Sequence, residues 1–188
     1  MTSNGAQSKH TITAVVEDKP GVLNRISSMF RRRGFNITSL AVGHSETPGL
    51  SRMTFVVEGD DRVVKQMTTH LNKLIDVIKV SDISEENIIS RELALIRVKA
   101  NVQSRSEIMQ IVDIFRANIV DVAAESLIVE VSGDEDKVDS LHDLLKSFGV
   151  LEVMRTGTIA LNRGAGIGPT RGDGRVALAA NWGEASSV

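Results

Sequence analysis

The chain has 188 residues, a formal net charge of −2 and no cysteine. A near-neutral charge argues against a strong electrostatic attraction to nucleic acids or anionic membranes. Without cysteine there are no disulfides, no thiolate metal sites and no cysteine nucleophile. No apolar run approaches the roughly 20 residues of a membrane span, and the polar start MTSNGAQSKH lacks a signal-peptide core. These features predict a globular protein of the cytoplasm.

The first half of the chain alternates between strand-like and helix-like apolar patterns. β-branched residues predict a strand over His10–Glu17, followed by an amphipathic helix that ends at Gly34. Asp18 is predicted as the N-cap of this helix, with Pro20 in its first turn. The other predicted elements are strands over 35–42, 50–58 and 74–80, a Pro-Gly loop over 44–49, and a helix that opens at 59–61. The order β-α-β-β-α-β is that of a ferredoxin-like unit.

The second half repeats this order. A strand is predicted over Glu92–Ala100, and Ser104 and Glu107 have the spacing of a capping box at the start of the next helix. The remaining predicted elements are a strand that opens at 118, a strand over 127–131, a helix that opens at 133–135, and a last strand over 150–161. A repeat of whole elements is stronger evidence than any single element.

The predicted fold class is therefore α+β, with two ferredoxin-like βαββαβ domains. The first domain is predicted over residues 10–83 and the second over 90–163, joined by a polar linker over 84–91. Residues 164–188 are Gly-rich and have no apolar period, which predicts a flexible tail. Short motifs in this tail, such as Arg171-Gly172-Asp173, are interpreted as chance occurrences.

No pattern of catalytic or metal-binding residues emerges. The four histidines have neither metal-ligand spacing nor a Ser-His-Asp arrangement, and the acidic residues are scattered. No catalytic residue, no metal site and no cofactor is predicted for this chain. The run Arg31-Arg32-Arg33 is interpreted as three cations that favourably meet the dipole at a helix C-terminus.

The turn Asp18–Gly21 is the strongest candidate for a binding site. The N–H groups at the start of the following helix form an anion site, and Gly21 lets a ligand approach the backbone closely. Asp18 adds a contact for a cation, so the turn suits the carboxylate and ammonium groups of a free α-amino acid. A plain strand–helix turn with an Asp cap and a Pro explains the same residues without a ligand. From the residues alone, both interpretations stay open.

Motifs in both halves resemble one known family. EDKPGVL (17–23), RRGFNITSLAVG (32–43), LSRMTFVV (50–57) and LNKLIDVIKV (71–80) resemble the ACT domain, a βαββαβ module that senses small molecules. SRELALIRVKA (90–100), IFRANIVDV (114–122) and GTIALNRG (157–164) extend the likeness into the second half. The chain is thus similar to the small regulatory subunits of acetolactate (acetohydroxyacid) synthase from residue 10 to about residue 164.

This resemblance implies a function and partners. In the family, the small subunit activates a separate catalytic large subunit that uses thiamin diphosphate, Mg²⁺ and FAD in valine, leucine and isoleucine synthesis. It also confers feedback inhibition by a branched-chain amino acid, most often valine. The family pairs two ACT domains side by side in a homodimer, and the effector binds at their interface.

Carried over by motif, the effector-binding residues fall into two groups. Asp18, Gly21, Val22 and Leu23 would come from one protomer, and Asn36-Ile37 from its partner. Some family members have Asn at the position of Asp18. The residues therefore do not rank valine, leucine and isoleucine as effectors.

Three other functions explain less of the pattern. A DNA regulator of this fold needs a helix-turn-helix, and only nine residues precede the first predicted strand. An acylphosphatase-like enzyme needs an arginine in its phosphate loop, whereas this turn offers Asp18. A free-standing ACT sensor that regulates a different enzyme is the main alternative, although the resemblance of the second half argues against it.

Overall fold

The structure is a computed structural model that describes residues 8–164. The predicted tail beyond Gly164, with its short motifs, lies outside the described residues. The elements are β1 (Ser8–Glu17), α1 (Val22–Arg33), β2 (Ile37–His44), β3 (Leu50–Gly59), α2 (Asp61–Leu71), β4 (Val77–Asp82), β5 (Ile88–Lys99), α3 (Arg105–Ile114), β6 (Asn118–Val122), β7 (Ser126–Gly133), α4 (Glu135–Lys146), β8 (Val150–Arg155) and β9 (Ile159–Asn162).

The first domain is a four-stranded antiparallel sheet with the strand order β2-β3-β1-β4. Side chains alternate between the two faces of a strand, so β1 buries Ile12, Ala14 and Val16 on one face. Helices α1 and α2 pack on that face, because their buried residues share one core with the strands. This core consists of Ile12, Ala14, Val16, Val22, Ile26, Met29, Phe30, Met53, Phe55, Val57, Val64, Met67 and Leu71.

The second domain repeats this arrangement with its own core. Its strand order is β6-β7-β5-β8, and β9 pairs with the first residues of β5. Its core consists of Ala94, Ile96, Val98, Ala100, Ile108, Val112, Leu127, Val129, Val131, Val138, Leu141 and Leu145. The predicted α+β class, with two ferredoxin-like βαββαβ units, is confirmed.

The segment predicted as one last strand contains two strands, β8 and β9. The chain bends at Gly157, whose φ of +81° lies in the left-handed region, and this bend separates β8 from β9. Strand β5 also begins at Ile88 rather than at Glu92, so the end of the predicted linker belongs to a strand. Both differences have one cause: β9 returns along the start of β5, with Ile89 opposite Leu161. Period-2 patterns do not show where a strand changes its partner.

The predicted capping box at α3 is also wrong. Ser104 occupies the N-cap position but makes no side-chain cap bond. Its hydroxyl oxygen instead accepts the N–H of Asn101 at 3.1 Å, and Asn101 Oδ1 accepts the N–H groups of Gln103 and Ser104. A competing local turn thus takes up the groups that a capping box would have used.

The two domains meet where the turn between β8 and β9 reaches β2. Thr158 donates its backbone N–H to Ser39 Oγ at 2.8 Å. An ion pair at 2.6 Å between Lys9 and Glu135 makes a second contact, and its hydrogen bond raises the pKa of Lys9. A cavity of about 280 Å³ lies at this junction. Its lining residues are Thr38, Ser39, Leu40, Val56, Glu92, Glu135, Arg155, Thr156, Gly157 and Thr158.

Candidate effector site at the start of helix α1

Helix α1 begins without a side-chain cap. Gly21 is the N-cap residue and has left-handed backbone angles, φ 89° and ψ −9°, and no side chain in residues 8–164 accepts a hydrogen bond from this end. The Val22 N–H lies 3.5 Å from the carbonyl oxygen of Lys19. The next two N–H groups, of Leu23 and Asn24, have no acceptor within the helix. The first turn contains no acidic residue either, so nothing in it opposes the approach of an anion to these donors.

The prediction that Asp18 caps α1 is wrong. The cap position falls three residues later, at Gly21, and the Asp18 carboxylate turns to the end of β2 instead. There His44 Nδ1 lies 3.1 Å from Asp18 Oδ2. The Asp18 side chain is 42% exposed and that of His44 is 89% exposed, so a ligand can reach the carboxylate.

Sequence reasoning interpreted His44 only as a turn histidine. It stands beside Asp18 because β2, β3 and β1 are neighbours in the sheet, which brings the end of β2 to the end of β1. No local sequence signal marks a contact of this kind, because the two residues are distant along the chain.

The predicted apolar contacts divide into a buried and an open residue. The Val22 side chain is 3% exposed and belongs to the core, so only its backbone faces the turn. The Leu23 side chain is 44% exposed and is free to contact a ligand. The burial of Val22 fixes where the helix starts, and this in turn places the open N–H groups.

Asn36 and Ile37 lie at the other end of α1. Asn36 is exposed, and Ile37 begins β2 opposite Val57 and packs partly against the core. Helix α1 has 12 residues, which corresponds to a length of about 18 Å. A single chain therefore does not bring these two residues to the turn at Asp18–Gly21.

Sequence reasoning also missed a buried acid behind the turn. The Asp76 side chain is 3% exposed, with Lys19 Nζ 3.0 Å from one carboxylate oxygen and Arg25 Nε 2.7 Å from the other. Lys19 also pairs with Glu17, and the nearby carboxylates, first Glu17 and then Asp76, raise the pKa of Lys19. The available signal was an acid inside the apolar run LIDVIKV, because acids are seldom buried unless they are paired.

Two further properties concern other kinds of site. Within residues 8–164, no group of three or more histidine, aspartate or glutamate side chains is arranged to hold a metal ion. Nor is any helix in that part of the chain both long enough and apolar enough to span a membrane.

A βαββαβ domain with an open helix start after its first strand agrees with the ACT class of regulatory domains that the motifs indicate. Comparison with protein families makes this assignment specific. Residues 12–79 match the model described as the AHAS small subunit-like ACT domain. Residues 91–164 match the model described as the small subunit of acetolactate synthase. The chain belongs to the acetolactate synthase small-subunit family, which confirms the resemblance noted in its motifs.

This chain matches individual members of the family over almost their whole length. A probable acetolactate synthase small subunit from Archaeoglobus fulgidus is 57% identical over 156 residues, which cover 83% of this chain and 98% of the relative. The acetolactate synthase small subunit of Mycolicibacterium smegmatis is 48% identical over 170 residues, which cover 90% of this chain and 99% of the relative. The crystal structure of the acetolactate synthase small subunit from Thermotoga maritima matches with a TM-score of 0.77 at 43% identity. The match covers 83% of this chain and 98% of that chain.

Proposed function

We propose that this regulatory small subunit activates a catalytic acetolactate synthase large subunit and makes it sensitive to a branched-chain amino acid, with valine as the first effector to test. The proposed partner carries the thiamin diphosphate, Mg²⁺ and FAD that the reaction needs, and the complex works in the cytoplasm. The observation that carries the proposal is the uncapped start of α1 next to the accessible carboxylate of Asp18.

The chemistry of this turn suits a free amino acid. The open N–H groups of Leu23 and Asn24 donate hydrogen bonds to the ligand carboxylate, and the carboxylate of Asp18 accepts hydrogen bonds from its ammonium group. In the free chain, His44 Nδ1 lies 3.1 Å from Asp18 Oδ2. The ammonium group of the ligand therefore has to replace this imidazole beside the carboxylate. The exposed Leu23 side chain provides apolar contact for a branched aliphatic group. One methylene changes affinity in such a pocket by only about 1–3 kcal/mol, so valine, leucine and isoleucine all belong in the test.

A homodimer would bring Asn36 to this turn. Strand β2 is an edge of the first sheet, and its 8 residues end at His44, beside Asp18. If two β2 strands pair antiparallel about a two-fold axis, the start of each strand lies beside the end of the other. Asn36 and Ile37 of one protomer then reach the turn of its partner, which a single chain does not achieve.

Regulation requires that the effector prefers one arrangement of the subunits. A ligand with equal affinity for both arrangements shifts nothing. A coupling free energy of about 1–3 kcal/mol gives a change of roughly 5- to 150-fold, which is enough for feedback control. An amino acid held between two protomers meets this condition, because its contacts with Asn36 and Ile37 of the partner protomer exist only when both chains are in place.

The direct test mixes the full chain with the acetolactate synthase large subunit from the same source and measures acetolactate with and without valine, leucine or isoleucine. We expect the chain to raise turnover and to make it sensitive to at least one of them. If the chain binds an amino acid but leaves this enzyme unchanged, it is a sensor for another partner. Without either effect, the proposed function is wrong.

A further inference from the structure

We propose that Asp76 is a positioning residue for the effector turn. Its buried carboxylate holds Lys19 and Arg25, and this fixes the start of α1 in the shape that receives the carboxylate of the ligand. The inference rests on the proposed function, since it assigns a residue to the same site. It adds that neither of these two cations binds the ligand directly.

The burial of Asp76 calls for an explanation. A carboxylate that is 3% exposed loses most of its hydration, which costs several kcal/mol unless nearby charges compensate. The compensation comes from Lys19 at 3.0 Å and Arg25 at 2.7 Å, which approach as ionic contacts rather than as well-aligned hydrogen bonds. An ion pair of this kind is weak evidence for stability, so its role lies in what it holds together.

The two cations belong to the two parts of the site. Lys19 lies in the turn, and Arg25 lies in α1 just after the open N–H groups. The backbone closes the arrangement, because the Glu17 N–H donates to the carbonyl oxygen of Asp76 at 2.9 Å. Asp76 therefore ties the end of β1, the turn and the start of α1 to one point before β4.

The second domain builds the same fold without this acid. There the Lys99 N–H donates to the carbonyl oxygen of Gly149 at 3.0 Å, the same backbone contact that joins Glu17 to Asp76. Gly149 stands where Asp76 stands in the first domain, and it has no side chain. The βαββαβ fold thus does not require a carboxylate at this point.

The helix partner is also missing from the second domain. Both first helices of the domains are followed by a residue with positive φ, Gly34 after α1 and Arg116 after α3. Counted back from these residues, the counterpart of Arg25 is Glu107. The acid and its arginine therefore occur together in the first domain, and the second domain has a counterpart of neither.

The ion pairs around Asp76 also limit which groups are left to bind the ligand carboxylate. Lys19 and Arg25 are the cations nearest to the turn in sequence, and both are engaged by acids. The ligand carboxylate is then left to the N–H groups of Leu23 and Asn24. Asp76 keeps these groups in place without contacting the ligand itself.

The test compares Asp76→Asn, Arg25→Gln, the double variant and a control, Glu58→Gln, which removes an exposed acid from β3. Binding of L-valine, L-leucine and L-isoleucine to the full chain is measured by titration calorimetry, and backbone dynamics by hydrogen exchange. We expect Asp76→Asn to weaken binding by about tenfold, because the neutral amide no longer holds Lys19 and Arg25 in one ion-pair network at the turn. Amide exchange should accelerate over residues 18–25 only, and Glu58→Gln should behave as wild type.

The double variant gives a readout that general destabilisation does not mimic. If Asp76 and Arg25 act as one unit, the double variant binds no more weakly than the weaker single variant. Unchanged binding and unchanged exchange in Asp76→Asn would overturn the inference, and so would exchange that accelerates equally across the whole first domain. If the wild-type chain binds none of the three amino acids, the proposed function fails, and the exchange data alone decide whether Asp76 holds the turn.

Discussion

The turns that follow the first strand of each domain differ, although the two folds repeat. In the first domain α1 starts at Gly21 with no side-chain cap. In the second, Asn101 Oδ1 accepts the N–H groups of Gln103 and Ser104 at 2.9 and 2.8 Å. Arg105 adds hydrogen bonds to the carbonyl oxygens of Ala123 and Ala124. Neither helix start has a side-chain cap, but α3 carries Glu107 in its first turn, which opposes an anion there, whereas α1 has no acid in its first turn.

The asparagines at the start of the second strand of each domain, Asn36 before β2 and Asn118 in β6, also differ. Asn118 donates from its side chain to Glu130 at 3.3 Å, while Asn36 is exposed just before β2. A fold does not carry a function by itself, and a site exists where local polar groups remain available. The two halves thus share one scaffold, and of their two first helices only α1 begins without an acid in its first turn.

The strongest test of this contrast replaces Gly21. Asp and Asn both tolerate left-handed angles better than most residues, and a Cβ at Gly21 meets no atom within 4 Å. Gly21→Asp places a negative charge at the anion site and should abolish valine binding and valine inhibition, whereas Gly21→Asn has nearly the same shape without the charge and should keep part of both. Calorimetry and inhibition curves check this, and equal losses in the two variants would mean that charge is not the cause.

Asn36→Ala should have the next largest effect. We expect it to weaken effector binding by about 1–3 kcal/mol, because the ligand then loses a hydrogen-bond partner in the dimer. Asn118→Ala is the matched control, since Asn118 opens the corresponding strand of the second domain. If calorimetry gives the same affinity for both variants and for wild type, Asn36 has no part in the site.

Gly157→Ala tests the contact that joins the two domains. An added Cβ would lie 2.9 Å from the carbonyl oxygen of Leu40, at a φ of +81°. Gly164 has a similar φ of +75° but open space around it, so Gly164→Ala reports the backbone strain alone. We expect Gly157→Ala to lower the free energy of unfolding by about 1–3 kcal/mol, and more than the control does. Denaturant titration measures both, and equal effects would remove the clash as the cause.

Asn101→Ala tests the closed turn of the second domain. It removes the acceptor for two N–H groups in the turn before α3 and should lower the free energy of unfolding by about 1 kcal/mol, as for the loss of a hydrogen bond. Valine affinity should stay at the wild-type value, because this turn is not the effector site. A clear drop in affinity on calorimetry would show that the second domain also shapes the site.

The smallest expected effect concerns pH and Glu92, next to the cavity between the domains. Burial raises the pKa of Glu92, against the opposing attraction of Arg155, so the folded state binds this proton more tightly than the unfolded chain does. Stability is then lost as pH rises from the ordinary glutamate value of about 4.3 towards the raised pKa. Glu92→Gln lacks this loss, so unfolding curves at a series of pH values should shift in favour of the variant as pH rises. A constant difference would contradict the assignment.

Much of the fold was predictable because its signals are local. The alternation along β1 and the helical spacing of Val22, Ile26 and Phe30 each identify an element and its buried face without knowledge of the rest of the chain. The repeat of the same order in the second half then indicated two domains. Helix starts were less predictable, since Asp18 and Ser104 both have suitable cap chemistry but other groups take up their side chains.

The sequence by itself determined the α+β class, the repeated element order, the resemblance to the family and the turn where an effector is expected to bind. Only the tertiary structure decided that His44 meets Asp18, that Asp76 holds Lys19 and Arg25, and that the chain bends at Gly157 to reach β2. The physical reason is distance along the chain. Periodicity reports on neighbouring residues, whereas these contacts form only after strand pairing has brought distant residues together.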